Sequence, residues 1–194
     1  MKKLLALALV VMVAGSALAQ DLNGMGIFFD NAVFDETTNT VATAGAPLDM
    51  YVVLIASEFE TIGGYECGIE FSDPTVFALG ATGPNGWTNF GSGALDHLVG
   101  FMAPVQTTVD GAAVLATINI LYGGSDVVDI TMMDASIPSF PGFPAIVNGA
   151  NPEELRACLL TTGVAPPGVV ANLNGEGITA TESHTLTEVK ALFD

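Results

Sequence analysis

The stretch TIGGYECGIEF, residues 61–71, decides the fold. After two glycines it alternates strictly: Tyr65, Cys67, Ile69 and Phe71 face one way, and Glu66, Gly68 and Glu70 the other. A period of two over this length is a β-strand with one face toward a core. The alternation turns Cys67 inward among apolar neighbours and leaves the two glutamates on a solvated sheet face. Glu66 and Glu70 then lie about 13 Å apart at strand rise, too far for either glycosidase carboxylate geometry between the two alone. A thiol buried among apolar groups is a poor nucleophile, because burial disfavours its thiolate. Cys67 therefore belongs to a scaffold rather than to a reactive centre. Gly63 and Gly64 mark where the strand begins, and Asp73-Pro74 closes it with turn chemistry.

The same patterning recurs on both sides. PLDMYVVLIAS (47–57) is apolar on both faces in its middle, as expected of a central strand covered on both sides. AAVLATINILY (112–122) sets Val114, Ala116, Ile118 and Ile120 against Thr117 and Asn119, and VDITMMD (128–134) sets Val128, Ile130 and Met132 against Asp129 and Thr131. MGIFFD (25–30), TVFALG (75–80), HLVGFMA (97–103) and PAIV (144–147) are further short strands, separated by turn sequences such as PNG and GSG. This spacing predicts an all-β protein, an antiparallel β-sandwich. Two segments read as helical. NPEEL (151–155) offers Asn151 as a cap and Pro152 at the first helical position. SHTLTEVKALFD (183–194) carries a capping box, Thr185 with Glu188, ahead of Leu186, Val189 and Leu192, and predicts a short C-terminal helix docked on the sandwich.

The chain opens MKKLLALALVVMVAGSALAQ: two lysines, an apolar run and Ala17-Leu18-Ala19. That is the pattern of a secretory signal peptide over residues 1–19, with an apolar run too short for a comfortable membrane span. Residues 20–194 then suit one exported domain, secreted, periplasmic or at the cell surface. Removing Lys2 and Lys3 leaves Arg156 and Lys190 against 21 acids. Such a chain repels nucleic-acid phosphates and anionic lipid, which excludes nucleic-acid binding. The acids are dispersed, as solubility requires, rather than gathered into a calcium site.

In an oxidising compartment an even cysteine count predicts one disulfide, Cys67 to Cys158. It would close a loop of about 90 residues, for about 4–5 kcal/mol in the chain-entropy view. The two histidines, His97 and His184, belong to no nucleophile elbow, since FGSGALDH lacks the first glycine of that motif. NLNGEGITATES (172–183) resembles a calcium loop only in part, because position twelve is Ser183, and it reads better as a hairpin turning at Asn174-Gly175. No cofactor and no metal are expected. The only tryptophan, Trp87, stands near Phe90 among Asn85 and Asn89, and an aromatic face beside amides suits a sugar ring. These four are the candidate ligand-binding residues; the alternative is a tryptophan that plugs the end of the sandwich.

The run AGAPLDMYVVLIASEFETIGGYECGIEFSDPTVFALGATG, followed by GAAVLATINILY, resembles the cohesin domains of extracellular bacterial assemblies. The likeness rests on a hydrophobic strand after a small-residue lead and on a glycine-introduced strand. It rests also on the turn Asp73-Pro74-Thr75-Val76 and on a late strand over Gly111 to Ile118. It covers about residues 41–135; the extension over about 148–194, with Cys158, has no counterpart in it. The resemblance implies a jelly-roll sandwich, related to cellulose-binding modules, that binds a protein partner through one sheet face. The expected function is an exported, non-catalytic binding or cell-envelope module whose partner is an extracellular protein or a glycan. The alternatives are a carbohydrate-binding module using the loop aromatics and, behind it, a carboxylate-based glycan hydrolase.

Overall fold

In the computed structural model, residues 23–31 and 39–175 are described. The expected signal peptide, His184 and the expected C-terminal helix lie outside them. The described chain is all β: β1 (Gly24–Phe28), β2 (Asn39–Thr40), β3 (Pro47–Ile55), β4 (Thr61–Phe71), β5 (Phe77–Thr82), β6 (Thr88–Asn89), β7 (Asp96–Gln106), β8 (Ala113–Leu121), β9 (Val128–Met133), β10 (Ala145–Asn148), β11 (Leu155–Ala157), β12 (Leu159–Leu160) and β13 (Gly168–Leu173). They form two open sheets. The smaller has the order β12-β1-β3-β8-β5, the larger β11-β10-β4-β9-β13-β2, with β7 and then β6 on the other side of β4. All pairings are antiparallel except the two-residue contacts β1–β12 and β13–β2.

The core lies between the sheets. Met25, Ile27, Met50, Leu54, Leu115, Ile118 and Ile120 of the smaller sheet meet Ile62, Tyr65, Cys67, Ile130, Met132 and Ile146 of the larger. Each large aliphatic side chain buried there contributes about 1.5–3 kcal/mol. A bulge in β8, where Val53 pairs with Val114 but Val52 with Ala116, brings Leu115 into the core in place of the expected Val114.

Within β4 the glycines lie inside the strand rather than at its start. They form a bulge, since Ile62 pairs with Val105 and Gly64 with Gly100. A Cβ on Gly64 would stand 2.4 Å from the Val99 carbonyl oxygen, so the position demands glycine. The strand stays long because β10 pairs its first half and β9 its second along the same edge. Between those two halves residues 134–144, DASIPSFPGFP, leave the sheet and return.

NPEEL is not helical. Asn151 to Glu154 make a turn, with the Glu154 N–H donating to the Asn151 carbonyl (2.9 Å), and Leu155 already pairs with Val147. The capping residues are present, but a few residues between two paired strands leave no room for a helical nucleus.

Candidate functional site

The outer face of the larger sheet carries a shallow groove of about 280 Å³. Strand register builds it. Leu155, Val147, Gly64, Gly100 and Thr88 lie in one row across five strands, and Ala157, Ala145, Glu66 and Leu98 in the next. Gly100 leaves a bare spot in the middle of the first row. Phe90, 73% exposed, leans over it with its ring edge 3.9 Å from where a Gly100 Cβ would be. Leu98 and Val147 supply further apolar wall, and Glu66 with Ser139 a polar end.

Glu66 corrects the expectation of a solvated carboxylate. It points outward as the alternation requires, yet is only 6% exposed, because the 134–144 loop folds over it. Its carboxylate accepts from the Ser139 N–H (2.6 Å) and the Ser139 hydroxyl (3.1 Å). Glu70 remains exposed as expected. Two further carboxylates hold the same loop. Asp134 accepts from the Gly142 N–H (2.7 Å). Asp96 accepts from the N–H and hydroxyl of Ser136 (3.0 and 2.6 Å) and from both groups of Ser92 (2.9 Å each). Partial burial works to raise the Asp96 pKa, but these four bonds outweigh it and hold the carboxyl well below its usual range. On the far side of the loop Asp96, Asp134 and Glu70 line an open cleft of about 540 Å³ with Ser92 and Ser136. Among the described residues no three His, Cys, Asp or Glu side chains converge as a metal site.

The four sequence-chosen residues do not form one platform. Trp87 turns inward, its ring edge-on to His97 (centroids 6.1 Å apart) and seated on Gly83, whose Cβ would collide with it. Asn89 is used by its own loop, donating to the Gly93 and Asp96 carbonyls and accepting from the Gly91 and Leu98 N–H groups. Asn85, at φ +53°, donates to the Pro104 carbonyl (3.0 Å). Phe90 and Asn85 are exposed, but Asn85 is spent on its own loop, so Phe90 is the one aromatic of the four that faces solvent. Ser139 and Ser136, which complete the site, carried no sequence signal beyond a Pro- and Gly-rich turn between two strands.

Beneath the groove lies a buried polar pair. His97 Nε2–H donates to the Ala94 carbonyl (2.9 Å), which leaves Nδ1 to accept the Tyr65 hydroxyl (2.6 Å). Burial lowers the His97 pKa against the opposing pull of Ala94 and Asp96, so the ring is held neutral. This is the fully bonded state of a core histidine, with no free nitrogen for catalysis.

The expected disulfide is not formed: Cys67 and Cys158 are free, buried thiols. Register supplies the reason. Glu66 pairs with Ala145 and Ala145 with Ala157, so the next row runs Cys67, Pro144, Cys158, and the Cys158 N–H donates to the Pro144 carbonyl (2.7 Å). Both thiols face the core, but a strand lies between them. Two strand spacings of about 4.8 Å exceed the reach of about 7 Å between bridged Cα atoms. Burial raises both thiol pKa values, helped at Cys67 by Asp96 and Glu66, so neither is a reactive thiolate.

No protein-family model matches the sequence, and no curated protein matches it. Among solved structures the chain is similar to the sixth cohesin of scaffoldin B from Acetivibrio cellulolyticus, solved in complex with a mutant Cel5 dockerin. The TM-score is 0.51 at 10% identity, over 80% of this chain and 99% of that one. It is also similar to the cohesin module of a family 33 glycoside hydrolase from Clostridium perfringens, with TM-score 0.46 and 9% identity over 72% of this chain and 91% of the other. The two-sheet topology, together with the first of these likenesses, gives the chain a cohesin-like β-sandwich fold.

Proposed function

We propose that the chain is an exported, non-catalytic module that binds a partner protein through the outer face of its larger sheet. The observation that carries this reading is the groove: Phe90, Leu98 and Val147 stand around Gly100, with one polar end at Glu66 and Ser139. An exposed aromatic beside a preformed apolar recess is the arrangement of an interface anchor. Support comes also from the solved cohesin that shares the fold and was captured with a protein partner. The non-catalytic reading is supported by what the reactive groups do here. Asp96, Asp134 and Glu66 tie down one loop, His97 is doubly bonded, and both thiols are buried.

The test is affinity capture from envelope extract on immobilised wild-type chain and on Phe90→Asp, run beside a glycan array. A protein retained by the wild type and lost with Phe90→Asp supports the reading. Equal capture on both columns, or binding to glycans alone, overturns it.

A further inference from the structure

Among the described residues, each sheet ends on strands whose outer backbone groups face no further strand, and most of these are too short to recruit one. β12, β2 and β6 have two residues each, and β11 three. Such brevity protects an edge against pairing with another chain. β5 is the exception in length. It runs six residues, FALGAT, pairs among the described residues only with β8, and holds no charge and no proline. Among the described residues none of its backbone groups bonds to a loop. Phe77 and Leu79 stand 62% and 54% exposed on it, and the apolar row continues from Phe77 through Leu121 to Pro47. Leu79 is the bulged residue, set between the paired Ala78 and Gly80.

A second copy of the chain could meet this edge only against its own charge. Residues 4–155 contain no Lys or Arg, and the chain carries a formal charge of −17. Asp73 precedes the strand, and Asp49 lies in the row of Gly80 and Asn119. Two such surfaces repel, whereas the same field draws in a cationic segment. We propose that β5 is a docking edge for an extended, basic segment of a partner protein, which adds to the smaller sheet as a further strand. Main-chain bonds would supply affinity, and Phe77 and Leu79 would pack on the apolar side chains of the incoming strand. The acidic field keeps copies of the chain apart while admitting the cationic strand, so selection comes partly from repulsion. This edge belongs to the smaller sheet, and the inference stands independently of the groove on the larger one.

The test uses the whole mature chain and synthetic peptides of about seven residues alternating valine with threonine, with lysine at both ends. Hydrogen exchange should show the β5 amides protected when this peptide is bound. Replacing the terminal lysines with glutamate should weaken binding about tenfold or more, and about 0.5 M NaCl should weaken it similarly. A proline at the centre should abolish binding, because it removes a ladder donor. Leu79→Lys should abolish it too, whereas Val109→Lys, the same charge change at an exposed turn, should leave it intact; Phe77→Lys replaces Leu79→Lys should that variant fail to fold. Equal binding of the proline peptide, protection away from β5, or a wild-type chain already dimeric through β5 would overturn the proposal.

Discussion

Glu66 is the residue on which the 134–144 loop and the polar end of the groove both depend. Replacing it with alanine removes the acceptor of two bonds from Ser139, at 2.6 and 3.1 Å. Bonds to a charged acceptor contribute about 1.5–3 kcal/mol each. Ser139 is itself exposed, so water satisfies its N–H and hydroxyl once the carboxylate is gone, and the lower end of that range applies. Glu66→Ala should therefore cost about 3 kcal/mol, two bonds at about 1.5 kcal/mol each. Glu66→Gln keeps one acceptor oxygen and should cost about 1 kcal/mol, the difference between a charged and a neutral partner. Urea unfolding measures this as a lower midpoint at unchanged slope. Hydrogen exchange adds the local readout, since the Ser139 amide should lose its protection in the alanine variant. A loss under about 0.5 kcal/mol, the range of ordinary surface changes, with Ser139 exchange unchanged, would refute the role of the carboxylate as the loop's anchor.

Four further outcomes follow from the same geometry. Trp87→Ala should lower stability by about 2–4 kcal/mol through the cavity it leaves at His97 and Gly83, whereas Phe90→Ala should stay within about 0.5 kcal/mol; thermal unfolding of the pair checks this. Gly64→Ala should cost about 1–3 kcal/mol in the same assay, because its Cβ meets the Val99 carbonyl at 2.4 Å. His97 and Asp96 both have folded pKa values below their unfolded ones, so the unfolded chain binds more protons. Stability should thus be full above pH of about 6.5 and fall below it as His97 titrates, then again below about 3.9 with Asp96; a urea midpoint equal at pH 7 and 5 would contradict the first step. Alkylation under non-reducing conditions should label neither cysteine in the native chain and both after unfolding, with a bridged peptide between Cys67 and Cys158 as the contrary result.

The strands were legible because their signal is local. Alternation in TIGGYECGIEF placed Tyr65, Cys67, Ile69 and Phe71 toward the core, and the structure places them there. What escaped depends on partners distant in the chain. Nothing around Glu66 announces that Ser139 will fold back over it, so an outward carboxylate read as a wet one. Alternation turns Cys67 inward, as the structure does, but its separation from Cys158 depends on a row through Pro144 that only the pairing of three strands reveals. NPEEL held true helix caps in a place where hairpin pairing prevailed. Trp87 and Phe90 lie three residues apart in one loop, and the loop's own hydrogen bonds through Asn89 send one ring inward and the other out.

The measurement that tests protein binding by the larger sheet most directly is site-specific photo-cross-linking in the producing cell. A benzophenone side chain in place of Phe90, beside Gly100 in the groove, should yield a covalent adduct with a protein, and the same group at Val109 should yield none. A chain that forms no protein adduct from position 90, or forms the same adducts from both positions, would contradict the account.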